Sequence, residues 1–288
     1  ALCSGNLPTP ATDPAGDDAG DGGGGPQNYF KALAYAGGTT GHVTGFQPDL
    51  VWTKRYTAAQ SNAVWDSSRG ITKVLNTDAS NAEATSSGLT AFNSDGYDMG
   101  TYYNQSGDSY VSWSWKVNGG TTASNSDGSI TSTVQVDTDR GISLVQYTGT
   151  ESAATIGHSL GAKPELIMVK CRSFDRNWAV QWVDVNNTTS YILNTTGSDS
   201  NGGGYWNSTS PTSSVFSVGA GTETNKDSQT FVAYCFVSKE GFSKVGTYEG
   251  NGDADGTFVY TGFRPAWIMT KSIDSTSDWQ IFDENRLG

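Results

Sequence analysis

One pattern is written three times along the chain. It runs Gly45-Phe-Gln-Pro-Asp-Leu-Val-Trp-Thr-Lys54, then Gly161-Ala-Lys-Pro-Glu-Leu-Ile-Met-Val-Lys170, then Gly262-Phe-Arg-Pro-Ala-Trp-Ile-Met-Thr-Lys271. A period of this kind constrains the fold more than any composition does, because each copy must repeat one supersecondary unit. The apolar residues are consecutive rather than alternate: Leu50 to Trp52, Leu166 to Val169, Trp267 to Met269. Consecutive apolar positions between turn residues imply a central strand buried on both faces. Gly and Pro set the turn into that strand, since Pro is tolerated at a strand's first residue. The Lys is expected to end it in water, with its stem along the core rim.

Other segments recur around this strand. Tyr35-Ala-Gly37 precedes the first copy and Tyr147-Thr-Gly149 the second. Asn104 to Trp115 matches Asn225 to Phe236 residue for residue, and Val111, Trp113 and Trp115 share one face by alternation. Asp95-Gly96 marks a tight turn. Gly, Asn, Ser and Thr interrupt every helical window, while aromatic and β-branched residues suit pleated faces. The expected fold is all-β: tandem jelly-roll or β-sandwich-like repeats behind an extended Gly/Asp-rich N-terminal arm. Residues 1–29 form that arm, 30–118 repeat 1, 119–140 a linker-like connection with room for one strand, 141–240 repeat 2, and 241–288 the first half of repeat 3. Half a sandwich leaves open edges and a bare face. The polypeptide is therefore expected to continue, the alternative being a neighbouring subunit that supplies the strands.

The arm has Asp13, Asp17, Asp18 and Asp21 among glycines and almost nothing apolar. It cannot offset its own ordering entropy and reads as a flexible tether or docking arm. Its aspartates lack the ligand spacing of a calcium loop. Leu2, Leu7 and Pro8 are a candidate anchor for another protein. The net charge of −12 repels phosphate backbones and anionic membranes, which argues against nucleic acid and membrane partners. No segment reaches the roughly 20 apolar residues of a membrane-spanning helix. Cys3, Cys171 and Cys235 are too few for a disulfide framework and are read as free thiols.

Signs of catalysis are sparse. His42 and His158 occupy equivalent places, which suggests packing rather than a catalytic base. Asp66 and Asp283 each stand three residues before an Arg, Arg69 and Arg286, and read as a duplicated structural ion pair. No nucleophile elbow, zinc motif, Walker loop or dinucleotide fingerprint is present, so no enzyme activity, cofactor or metal is expected. Aromatics in Gly/Ser/Asn-rich loops can stack on sugar rings. Tyr205 and Trp206, with Tyr102 and Tyr103, are the candidate ligand-binding residues.

Taken together, the Tyr-x-Gly strand, the Gly-Phe-x-Pro strand (Gly45 to Lys54, Gly262 to Lys271), the Phe-x-Ser-Asp-Gly-Tyr turn (Phe92 to Tyr97) and the closing strand (Tyr110 to Trp115, Phe231 to Phe236) resemble a domain found in tandem in virion proteins of tailed bacteriophages, particularly marine ones. Repeat 2 departs from it with Gly161-Ala-Lys-Pro164 and no Ser-Asp-Gly turn. The resemblance covers nearly everything after residue 29 and carries no catalytic residues. It implies a virion structural protein assembled in the host cytoplasm, most plausibly a tail-fibre-like appendage. Residues 1–29 would dock to other virion proteins, and the β-modules would bind host-surface polysaccharide. A homo-oligomer is expected, commonly a trimer for fibres. A capsid decoration or head-fibre protein with the same modules is the alternative, followed by a secreted carbohydrate-binding module or depolymerase.

Overall fold

The computed structural model of the chain describes residues 25–182, 188–199 and 202–286. Its fold is all-β and antiparallel. Repeat 1 contains β1 (Phe30–Ala36), β2 (Gly41–Val43), β3 (Leu50–Arg55), β4 (Ala63–Asp66), β5 (Lys73–Asn76), β6 (Ala84–Thr85), β7 (Leu89–Asn93), β8 (Gly96–Met99) and β9 (Ser109–Trp115). A six-stranded sheet runs β1-β9-β3-β4-β5-β6, and a small sheet β2-β8-β7 covers its outer face. After β10 (Ala123–Asn125) and β11 (Ser132–Asp137), repeat 2 contains β12 (Ile142–Thr148), β13 (Ala154–Gly157), β14 (Leu166–Cys171), β15 (Ala179–Trp182), β16 (Ser190–Ile192), β17 (Ser198–Asp199), α1 (Gly202–Trp206), β18 (Val215–Val218), α2 (Thr222–Asn225) and β19 (Thr230–Phe236). Its main sheet runs β10-β11-β12-β19-β14-β15-β16-β17, under a small β13-β18 sheet. Repeat 3 contributes β20 (Trp267–Thr270) and β21 (Gln280–Asp283), paired with each other.

The repeated strand is β3, β14 and β20. Leu50 to Thr53 and the whole of β14 are buried, as consecutive apolar residues require. Gly45, Gly161 and Gly262 all take positive φ (88°, 68° and 85°), the left-handed turn that only Gly enters without strain. In the first two copies the acid after Pro holds the chain beyond the closing strand. Asp49 accepts from Val117 N and Glu165 from Ser238 N, at 2.6 and 2.5 Å. The Tyr of Tyr-x-Gly acts alike in both repeats. Tyr35 Oη donates to Tyr103 O and Tyr147 Oη to Thr224 O, while each ring stacks on the first aromatic of the closing strand, Tyr110 or Phe231.

Three features differ from the sequence expectation. The stretch 119–140 is not a linker: β10 and β11 extend the repeat 2 sheet, because Ile130 and Val134 find buried places in its core. The terminal Lys of the second copy does not reach water. Lys170 is fully buried, and its ammonium donates to the carbonyls of Arg176 and Ser80 at 2.7 and 3.0 Å. Lys54 likewise bonds Gln60 O, and Lys271 bonds Ser272 O and Thr196 O. In each copy the loop after the strand offers the cation a carbonyl, and in the second and third copies the preceding repeat offers another. Finally, the repeats are not beads with private cores. The inner faces of the main sheets meet in one central core with Trp52, Trp113, Leu144, Met168, Trp178 and Tyr234, against which Trp267, Met269 and Ile281 pack.

Successive repeats meet through equivalent contacts. Trp178 Nε1 of repeat 2 donates to Asn76 O of repeat 1, and its equivalent in repeat 3, Trp279, donates to Ile192 O of repeat 2 (2.8 and 3.0 Å). Arg176 N meets Ser80 O just as Ser277 N meets Thr196 O. One docking surface is therefore used twice in succession.

Candidate functional site

The strongest concentration of charge lies between repeats 1 and 2. Asp66 ends β4 and binds Arg69 Nε at 2.5 Å, and Ser68 Oγ and Arg69 N also donate to it. Tyr234 Oη of β19 reaches across to donate to Asp66 Oδ2 at 2.7 Å. Arg69 continues to Glu83, which Arg172 of repeat 2 grips with Nε and Nη2; Arg172 also bonds Gln146. Burial alone would raise the Asp66 carboxyl, but the Arg69 charge and its donors hold it below the usual carboxylate range. Glu83 is lowered in the same way: burial opposes it, and Arg172 and Arg69 prevail. The pair Asp66/Arg69 was legible in the sequence. Glu83 and Arg172 were not, because nothing local announces partners brought together only by packing. The second Asp–Arg pair repeats the geometry: Arg286 Nε lies 2.6 Å from Asp283, and Asp283 accepts from Trp113 Nε1 of β9.

Both histidines are buried. His42 lies between the Tyr35 and Tyr97 rings, at 4.1 and 5.0 Å between centroids, and burial pushes its imidazole down to about 4. His158 is buried too and lowered for the same reason; its Nδ1 accepts from Leu160 N. Among the described residues no group of three or more His, Cys, Asp or Glu could hold a metal ion. Cys171 and Cys235 are free and buried, and Cys3 and the aspartates of the arm lie outside the described residues.

The four aromatic candidates separate by burial. Tyr205 and Trp206 lie on α1 inside the repeat 2 core, 8% and 0% exposed, and cannot stack on a sugar. Their loop is glycine-rich for close packing rather than for display. A Cβ on Gly221 would stand 2.7 Å from Gly204 O and 2.5 Å from the Tyr205 ring. Tyr103 is also buried, edge-on to Trp65 at 5.0 Å, and Asn76 Nδ2 donates to its hydroxyl. Only Tyr102 of the four projects outward, 57% exposed, on a single 3-10 turn after β8. Gln60 Nε2 fixes this turn through Tyr102 O at 2.8 Å, and Tyr103 braces the ring edge-on at 5.0 Å. The Asp78 carboxylate accepts from Asn62 N nearby in this bonded network. A supported, outward-facing ring can stack on the apolar face of a sugar. At the end of the arm, Arg140 lies 3.9 Å over the Tyr29 ring, so residue 29 already belongs to the folded body.

No curated protein and no solved structure matches the chain. A family model does match, over residues 25–288, which contain all of the β-structure described above. By that match the chain belongs to the family described as a domain of unknown function, DUF7483.

Proposed function

We propose that the chain is a structural protein of a tailed-bacteriophage virion, a tail-fibre-like appendage. It is held to other virion proteins through residues 1–29 and turns its β-modules toward host-surface glycan. The observation that carries this reading is the use of the buried charges. Asp66, Arg69, Glu83, Arg172 and Lys170 are all engaged in joining one repeat to the next, and none lines a reaction centre. A scaffold stiffened in this way, with a braced tyrosine at one outward turn, suits display and contact rather than turnover. The resemblance of its repeats to tandem virion domains supplies the particle.

The test is the particle itself. Quantitative mass spectrometry of purified virions, with immunogold labelling by antibodies to the β-modules, should give a low copy number and label on the tail. Label over the shell at high copy number would instead assign the capsid-decoration role, and absence from virions would reject the reading. For the glycan, Tyr102→Ala should weaken binding to host polysaccharide by roughly tenfold, about the 1.4 kcal/mol of one aromatic stacking contact. Release of sugars by the purified protein would establish a depolymerase.

A further inference from the structure

In repeats 1 and 2 a closing strand stands between two others. β9 pairs with β1 on one side and β3 on the other, and β19 pairs with β12 and β14. Repeat 3 has both flanks. Residues 244–250 carry Tyr248-Glu-Gly250, the counterpart of Tyr35-Ala-Gly37, and run without assigned secondary structure. β20 pairs with β21 alone among the described residues, so the edge that β3 gives to β9 is open.

Exposure at equivalent positions measures what is missing. Val51 and Ile167 are fully buried, whereas Ile268 is 43% exposed; Trp65 is fully buried, whereas Phe282 is 57% exposed. Tyr147 is 5% exposed and Tyr248 56%. The inner side of the same hairpin is in place, with Trp267 packed against Trp52, Trp113 and Trp115. Repeat 1 is marked on the matching surface. Gln60 and Asn62 stand where Arg176 and Trp178 stand in repeat 2, and there those residues dock on the preceding repeat. Here Gln60 Oε1 and Asn62 Oδ1 are buried without a partner among the described residues.

We propose that this slot receives a third closing strand, supplied by the same polypeptide, which completes repeat 3 and closes the three-sided core onto repeat 1. The source follows from the two closing strands in view: each belongs to its own repeat and lies C-terminal to its hairpin, β9 after β4 and β19 after β15. The occupant's chemistry follows from the same pair. It is an antiparallel strand with large apolar side chains at alternate positions facing the central core, as Val111, Trp113 and Trp115 do, and small ones outward, as Ser112 and Ser114 do. Its middle aromatic needs no polar tip. Tyr234 and Trp113 each donate to an Asp at the end of the neighbouring hairpin, Asp66 and Asp283, but the corresponding position in repeat 2 is Trp182. A phenylalanine fits there.

Fusing residues 70–118 of repeat 1 directly after Arg286 tests the slot in register, because Asp283 and Arg286 reproduce Asp66 and Arg69. Hydrogen exchange at residues 245–248 and 268–270 should slow by about 100-fold relative to the 288-residue chain, and Ile268→Asp in the fusion should restore fast exchange. A second measurement adds a peptide of residues 108–118 to the 288-residue chain; it should protect the same amides, and a scrambled peptide should not. Failure of both fusion and peptide to protect them overturns the proposal. So does a concentration-dependent dimer of the 288-residue chain in which 268–270 are already protected, since a second copy would then be the occupant.

Discussion

Repeats 1 and 2 share a frame and differ in what covers its outer face. Strand order, the left-handed Gly, the Tyr hydroxyl and the acid after Pro coincide. In repeat 1 a three-stranded sheet and the buried Tyr103 fill the outer core, and Tyr102 projects from the same turn. In repeat 2 the α2 turn carries Glu223 and Thr224 in their place. The inserted α1 brings Tyr205 and Trp206 into the outer core of repeat 2. Duplication has kept the backbone frame and its hydrogen bonds, while each copy has found its own filling. An aromatic that looks like a binding residue in one copy can thus be the other copy's core.

The largest effect is expected at the joint between the two repeats. Arg69→Ala leaves Asp66 and Glu83 without their shared cation in a buried site, and should cost about 3–5 kcal/mol, read as a fall in the urea midpoint. Arg286→Ala removes the equivalent arginine where its side chain is a quarter exposed, and should cost clearly less. Equal losses would mean that the repeat 1–repeat 2 joint is no more buried in effect than its copy.

Trp206→Ala comes next. Removing a fully buried indole from the outer core of repeat 2 should cost about 3–5 kcal/mol, whereas Tyr102→Ala should leave stability within about 0.5 kcal/mol. Thermal melts of the two variants side by side measure the difference. A stable Trp206→Ala protein would return α1 to the list of binding loops.

These contrasts also mark what a sequence of this kind conveys. β3 and β14 were legible because consecutive apolar residues have one structural meaning, and the turn before them because Gly and Pro have few others. The Asp66–Arg69 pair was legible because both partners are local and the pair recurs. Lys170 misled, since its two carbonyl acceptors come from backbone, and backbone positions leave no trace in side-chain identity. Tyr103, Tyr205 and Trp206 misled because small polar neighbours also surround an aromatic that is packed closely. The shared core was hidden by the alternation itself: Val111, Trp113 and Trp115 say that one face is buried, not which sheet buries it.

The smallest expected effect separates the two histidines. Each folded-state pKa lies below the unfolded value, so between about 6.5 and the folded value the unfolded chain binds more protons, and stability falls as pH falls. For His42, lowered to about 4 by burial, the loss at pH 5 is about 2 kcal/mol on this linkage. Among the described residues its Nε2 has no hydrogen-bond partner, and its ring is held by two tyrosines. His42→Phe should therefore keep neutral-pH stability and remove that part of the acid slope. His158 has both nitrogens engaged, Nδ1 by Leu160 N and Nε2 by Thr212 O at 3.3 Å, so His158→Phe strands a buried N–H and should cost about 1–3 kcal/mol at pH 7.5. Denaturant midpoints at pH 7.5 and pH 5 distinguish the two outcomes. A clear loss at pH 7.5 for His42→Phe would mean that its ring, like that of His158, is held by bonds rather than by shape.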